Sequence, residues 1–185
     1  MKIAYIVFDG ITLLDFIGAY DPISRLRSIQ FMPNLTWDIC AITPEVKDSF
    51  GLTIKAGKVK NDLSGYDVII VPGGSGIRTL VNNKAFIGWL QTAAAVPLKC
   101  SVCTGSLLLG AAGFLQGKKA TTHFNQYETL AKFGCTVLHD KIVDEGNLVT
   151  AGAVSSSLQL GLYLASKWCG PDAEQAIRKW MDFVG

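Results

Sequence analysis

The sequence predicts an α/β fold built on a mostly parallel central sheet. Three observations predict it. Short apolar runs alternate with longer helical patterns, the rhythm of βαβ units. The 185 residues are enough for one domain with a full hydrophobic core. Finally, 49% of them are apolar and only 17% charged, the balance of a well-buried domain rather than a disordered chain.

In chain order, residues 3–8 form an apolar run closed by Asp9-Gly10 and predict a buried strand. A helix is expected over 14–29, with Pro22 kinking it or marking a second start. Residues 36–42 predict a second strand, stopped by Thr43-Pro44. The Gly-containing stretch 48–62, with Leu52, Ile54 and Val59 alternating, predicts a small hairpin. A central strand at 68–71 runs into Pro72-Gly73-Gly74, and a helix is expected over 84–94. The next strand is 98–102, followed by a helix at 104–112 that Gly113 ends, and a further helix from Asn125 to Lys132. Strands are expected at 136–138, 142–144 and 148–150, with Glu145-Gly146-Asn147 as a tight turn between the last two. Two helices, beginning about Ser155 and Asp172, close a single domain without repeats or linkers.

Composition excludes several functions. The net charge is +2 and no basic cluster exceeds Lys118-Lys119, so no nucleic-acid partner is expected. No stretch approaches the roughly 18 to 20 uninterrupted apolar residues of a membrane span, and the short first run is not expected to serve as a signal peptide. Five irregularly spaced cysteines favour reduced thiols and a cytoplasmic setting over a disulfide framework. No Cys/His spacing suggests zinc and no acidic cluster suggests calcium or magnesium; neither metal nor organic cofactor is expected.

The segment that carries chemistry is Lys99-Cys100-Ser101-Val102-Cys103-Thr104-Gly105-Ser106. A strand ends at Val102 and a helix begins within two residues, so Cys103 falls on the turn between them. Small residues at Ser101 and Gly105 relieve crowding there, the pattern of a nucleophile elbow. A helix N-terminus favours thiolate over thiol, and cysteines so placed titrate at roughly 3.5 to 7.5. The competing readings are a small buried hydrophobe and a redox C-x-x-C with Cys100, although Cys100 falls inside the strand.

Pro72-Gly73-Gly74 follows a strand directly, and its glycines can bring backbone N–H groups close to a developing anion. Without a Lys-Ser/Thr or a spaced third glycine it is no phosphate or dinucleotide fingerprint. Asp15 lies among Leu13, Leu14, Phe16 and Ile17, surroundings that raise a carboxyl's pKa toward neutrality, although an N-cap role would also explain it. Of the two histidines, His123 in Thr121-Thr122-His123 is the better site candidate, and His139 reads as a surface residue.

An acid after the first strand, a Pro-Gly-Gly turn and a Cys elbow, in that order, resemble the ThiJ/PfpI superfamily. The run with Cys103-Thr104-Gly105-Ser106, Gly110-Ala111-Ala112-Gly113, Leu115-Gln116-Gly117 and Ala120-Thr121-Thr122-His123 resembles its isocyanide hydratase branch. A related signature occurs in the amidase-like sensor domains of some transcription regulators. The resemblance implies a flavodoxin-like three-layer sandwich. It implies Cys103 as nucleophile, Asp15 as the facing acid, and Gly73, Gly74 and Thr104 as the anion-binding or positioning group. Thr150-Ala151-Gly152-Ala153-Val154 resembles the branch's segment beside the site, which makes Gly152 and Val154 candidate substrate-lining residues, together with His123 from the stretch before it. PfpI-type proteases place His directly after the nucleophile, where this chain has Thr104. Two departures stand out: Ala19 replaces a common Pro, and the chain ends sooner than typical hydratases.

The implied activity is addition of water to an isocyanide through a covalent thioimidate on Cys103, giving an N-substituted formamide. The implied partners are a small-molecule substrate and a second copy in a homodimer. Two alternatives stay open: a non-catalytic or redox-sensing domain, and a glyoxalase-like enzyme for small aldehydes. The helices expected after Val154 are too little for an appended DNA-reading helix-turn-helix unit.

Overall fold

Runs such as Val68-Ile69-Ile70-Val71 are β-branched and apolar on both faces, so they are stable only as strands covered from above and below. The computed structural model of the chain describes residues 1–183 and places them so. In order, the elements are β1 (Lys2–Ile6), α1 (Leu13–Ser28), β2 (Thr36–Ala41), β3 (Glu45–Lys47), β4 (Thr53–Lys55), β5 (Lys58–Val59), β6 (Val68–Val71), α2 (Ile77–Leu80), α3 (Lys84–Gln91), β7 (Leu98–Val102), α4 (Gly105–Ala111), β8 (Lys119–Ala120), α5 (Tyr127–Ala131), β9 (Thr136–Val137), β10 (Ile142–Asp144), β11 (Leu148–Ala151), α6 (Ser156–Cys169) and α7 (Pro171–Trp180).

The main sheet runs β10-β11-β7-β6-β1-β2-β5, parallel throughout except for the antiparallel edge pair β10–β11. Helices α1, α6 and α7 pack together on one side, while α2, α3 and α5 each contact α4 on the other. This is a three-layer sandwich, flavodoxin-like in strand order. The chain moves outward from β1 in one direction to β2 and in the other to β6, β7 and β11. That reversal opens a crevice at the strands' C-terminal ends, where such sheets bind ligands.

Four sequence expectations need correcting. No second helix starts at Pro22; α1 continues through it, with Pro22 buried. The hairpin is β3–β4, starting before residue 48, and β5 instead joins the main sheet alongside β2. The two-residue β8 had no counterpart in the expectation, and the strand expected at 136–138 forms as β9 and pairs with it, off the main sheet. The four-residue α2 had no counterpart in the expectation.

Helices α1 and α6 meet with almost no space between them. A Cβ on Gly18 would stand 2.1 Å from Ser157 Oγ, and one on Gly161 would stand 2.9 Å from the Ala19 carbonyl oxygen. Glycine at both positions lets the helices approach and fixes where the first turn of α1, carrying Asp15, sits over the sheet. Among the described residues no helix is long and apolar enough to cross a membrane.

Candidate active site

Cys103 is held in a conformation that L-residues avoid, with φ 53°. Left-handed backbone costs roughly 1–2 kcal/mol for a residue with a Cβ, so its surroundings must enforce it. The Cys103 N–H donates to two carbonyls, Ala151 O at 3.0 Å and Gly152 O at 2.7 Å. Its own carbonyl accepts from Thr122 Oγ1 at 3.0 Å and Ser106 Oγ at 3.3 Å. Gly105 is required beside it, because a Cβ there would lie 2.0 Å from the Val71 carbonyl oxygen. The turn between β7 and α4 is thus a strained elbow that aims the thiol away from the sheet.

Asp15 arrives from the first turn of α1 and is fully buried. It is no N-cap: Thr12 holds that position, with no side-chain capping bond. Its Oδ2 accepts the Gly73 N–H at 2.9 Å. Its Oδ1 meets no well-oriented donor, and the carboxyl as a whole interacts with the neighbouring Cys103 thiol. Burial raises the Asp15 carboxyl to about 6, against weaker opposing pulls from the Gly73 amide and the Cys103 thiol.

The Cys103 thiol goes the same way. Burial first, then the negative charge of Asp15, push it up to about 12, although the Thr104 N–H and hydroxyl both pull downward. The depressed thiol expected from the helix N-terminus is therefore not what this site holds. At neutral pH the two groups keep one proton between them, resting on sulfur. Ionised Asp15, in contact with that thiol, is a base placed to receive it.

The other expected residues divide into two groups. Gly73 serves the acid, its N–H spent on Asp15 and its missing Cβ leaving room for Thr104 and Asp15. Gly74, at φ 144°, donates its N–H to Thr104 Oγ1 at 3.1 Å, and a Cβ on it would strike the Gly10 carbonyl at 2.2 Å. Gly152 contributes its carbonyl to the elbow. Val154 and His123 line a cavity of about 700 Å³ onto which Cys103 and Thr104 open. His123 Nδ1 is paired with Asn125 Oδ1 at 2.7 Å, and its ring lies 4.3 Å from that of Phe124. His139 is exposed and stacks on Tyr127, away from the cavity.

Sequence reasoning missed Ser106 and Thr122 as the clamps of the Cys103 carbonyl. A Ser three residues beyond an elbow, back-bonding to the carbonyl at i−3, is a recognisable local habit. Thr122, a buried contact from 19 residues away, carries no local signal. Among the described residues no group of His, Cys, Asp and Glu side chains could hold a metal ion.

The profile of the DJ-1/PfpI family matches residues 1–167. An isonitrile hydratase of Pseudomonas putida is 35% identical over 186 aligned residues, covering 100% of this chain and 79% of the relative. A crystal structure of a ThiJ/PfpI family protein from Pseudomonas syringae superposes with a TM-score of 0.91 at 25% identity, covering 100% of this chain and 75% of that one. Drosophila melanogaster DJ-1beta shares the fold at a TM-score of 0.84 and 20% identity, over 100% of this chain and 98% of its own.

Proposed function

The chain belongs to the DJ-1/PfpI family, and from that premise we propose that it is a cysteine-dependent hydratase converting an isocyanide to an N-substituted formamide. The observation that carries the reading is the Asp15–Cys103 pair, a raised acid beside a raised thiol on a strained elbow. Full-length similarity to the Pseudomonas putida isonitrile hydratase supports the substrate class.

The chemistry needs one mobile proton, and the pair supplies it. Asp15 takes the thiol proton as the Cys103 sulfur bonds to the terminal isocyanide carbon. Once Asp15 is neutral, its charge no longer disfavours the thiolate. The carbanionic carbon of the adduct then recovers that proton from Asp15, giving a thioimidate, R–N=CH–S–Cys103, and restoring the carboxylate. Water adds to the same carbon while Asp15 takes its proton and hands it to the C=N nitrogen, giving R–NH–CH(OH)–S–Cys103. Collapse of this tetrahedral adduct breaks the C–S bond and releases R–NH–CHO, the hydroxyl proton passing by way of Asp15 to sulfur. Water is consumed and no electrons change hands. Splitting one addition in two is the gain of covalent catalysis. The Thr104 N–H, facing the sulfur, stabilises charge as it gathers there. The reading carries with it a cytoplasmic homodimer whose thiols stay reduced.

The test is formamide production from a simple aryl isocyanide by wild-type, Cys103→Ser and Asp15→Asn proteins. Turnover by the wild type, lost in both variants, is the expected result. No formamide from wild-type protein, with Cys103 still open to alkylation, would overturn the hydratase reading and leave the elbow to aldehyde or redox chemistry.

A further inference from the structure

The cavity above Cys103 is walled by apolar side chains, among them Ile77, Val81, Leu107 and Val154. Its lining includes one formally charged side chain, Arg78, and no Asp or Glu. The three other arginines are occupied. Arg25 binds Asp21 at 2.9 Å, Arg178 binds Glu174 at 2.9 Å, and the Arg27 guanidinium lies 5.7 Å from the centre of the Trp37 ring. Arg78 has no acid, hydrogen-bond or ring partner among the described residues, and it is exposed on α2, one residue beyond Ile77. A guanidinium offers five donors in a fork that fits a carboxylate bidentately. Also on the lining, Asn125 gives its oxygen to His123, which leaves its amide hydrogens to donate.

An apolar channel with a reactive sulfur at its floor and an unpaired guanidinium on its wall selects for one shape of molecule. We propose that Arg78 is a specificity-determining residue and that the preferred substrate is an isocyanide bearing a carboxylate at the end of an apolar body. The isocyano carbon reaches Cys103, the body lies along Ile77, Val81 and Leu107, and the carboxylate meets Arg78. A single arginine suits a singly charged carboxylate better than a phosphate dianion, which usually draws several donors. The inference rests on the hydratase reading for the reacting group, but its anion site stands on Arg78 alone.

The experiment compares 4-isocyanobenzoate with its methyl ester for wild-type, Arg78→Gln and Arg78→Lys proteins. Wild type is expected to favour the acid in kcat/KM by about tenfold, a preference that shrinks as salt is added. Arg78→Gln should lose the preference while turning over the ester within about twofold of wild type, since it removes only the charged contact. Arg78→Lys should keep part of it. A second arm follows alkylation of Cys103 by iodoacetamide in the presence of 4-formamidobenzoate or its methyl ester. The acid should protect wild-type protein and fail to protect Arg78→Gln, and the ester should protect neither to the same degree. Protection by the acid without isocyanide turnover would sink the hydratase reading and keep the anion site. Turnover with no preference for the acid, no protection, or equal losses on both substrates in Arg78→Gln would overturn the role given to Arg78.

Discussion

Cys100 and Cys103 lie three residues apart, both buried and both with thiols raised by burial, yet the chain treats them oppositely. Cys100 is a regular residue of β7, paired in register with Ile70 and Val149, and its thiol is fully enclosed, above the ordinary range. Cys103 stands one residue past the strand, at positive φ, with an acid beside it and a cavity in front. Residue type and burial are nearly the same in the two, so what separates a packed thiol from a usable one is the turn of backbone and the presence of a base.

The sharpest way to break that contrast is substitution of the two cysteines. Cys103→Ser should lower formamide production by about a thousandfold or more, whereas Cys100→Ala should leave it within about twofold and cost roughly 1 kcal/mol of stability, measured by denaturant titration. Asp15→Asn is expected to reduce turnover by about 10²- to 10⁴-fold, the range for a lost general acid–base. In the same variant Cys103 should alkylate faster at neutral pH, because the charge holding its thiol up is gone; a rate unchanged from wild type would deny the coupling. Gly105→Ala, which drives a Cβ against Val71 and Pro72 carbonyls, should cost about 2–3 kcal/mol and most of the activity, through the backbone strain and crowding it adds.

The smaller effects concern pH. Wild-type turnover should fall as pH drops through about 6, where Asp15 takes up a second proton for the pair and can no longer receive the thiol's. Asp15→Asn should abolish that limb in whatever activity remains. Stability moves the other way. The folded chain holds the Asp15 proton up to about pH 6, and the unfolded chain releases it near the ordinary value of 3.8. Stability is therefore lost as pH rises through that interval, by at most about 3 kcal/mol. Asp15→Asn should recover part of this at neutral pH, seen as a higher melting temperature in an inactive protein.

The fold was largely legible from the sequence because its central strands are short β-branched runs that no helix could hide. What escaped was non-local or brief. Strand β5 is two exposed residues, Lys58 and Val59, whose pairing with Cys40 and Ala41 leaves no trace in local pattern. Helix α2 is a single turn entered from Gly76. At the site, the elbow at Cys103 could be read from the strand, the small flanking residues and the helix that follows. Its neighbourhood with Asp15, 88 positions earlier, came only through resemblance, and the Gly73 amide's service to that acid came only from geometry. The direction of the thiol's titration was misjudged for the same reason: a helix N-terminus is visible in sequence, but an enclosing wall and a distant carboxylate are not.

Gly18 carries a consequence of its own. Helix α1 works as a lever whose fulcrum is the contact of Gly18 with Ser157 and whose short arm ends in Asp15, less than one turn away. Adding even a methyl group at the fulcrum must tilt or lift the arm. In the proposed mechanism, a position with no chemical part therefore sets the distance a proton has to travel, and in any lineage of this sequence residues 18 and 157 should drift only together.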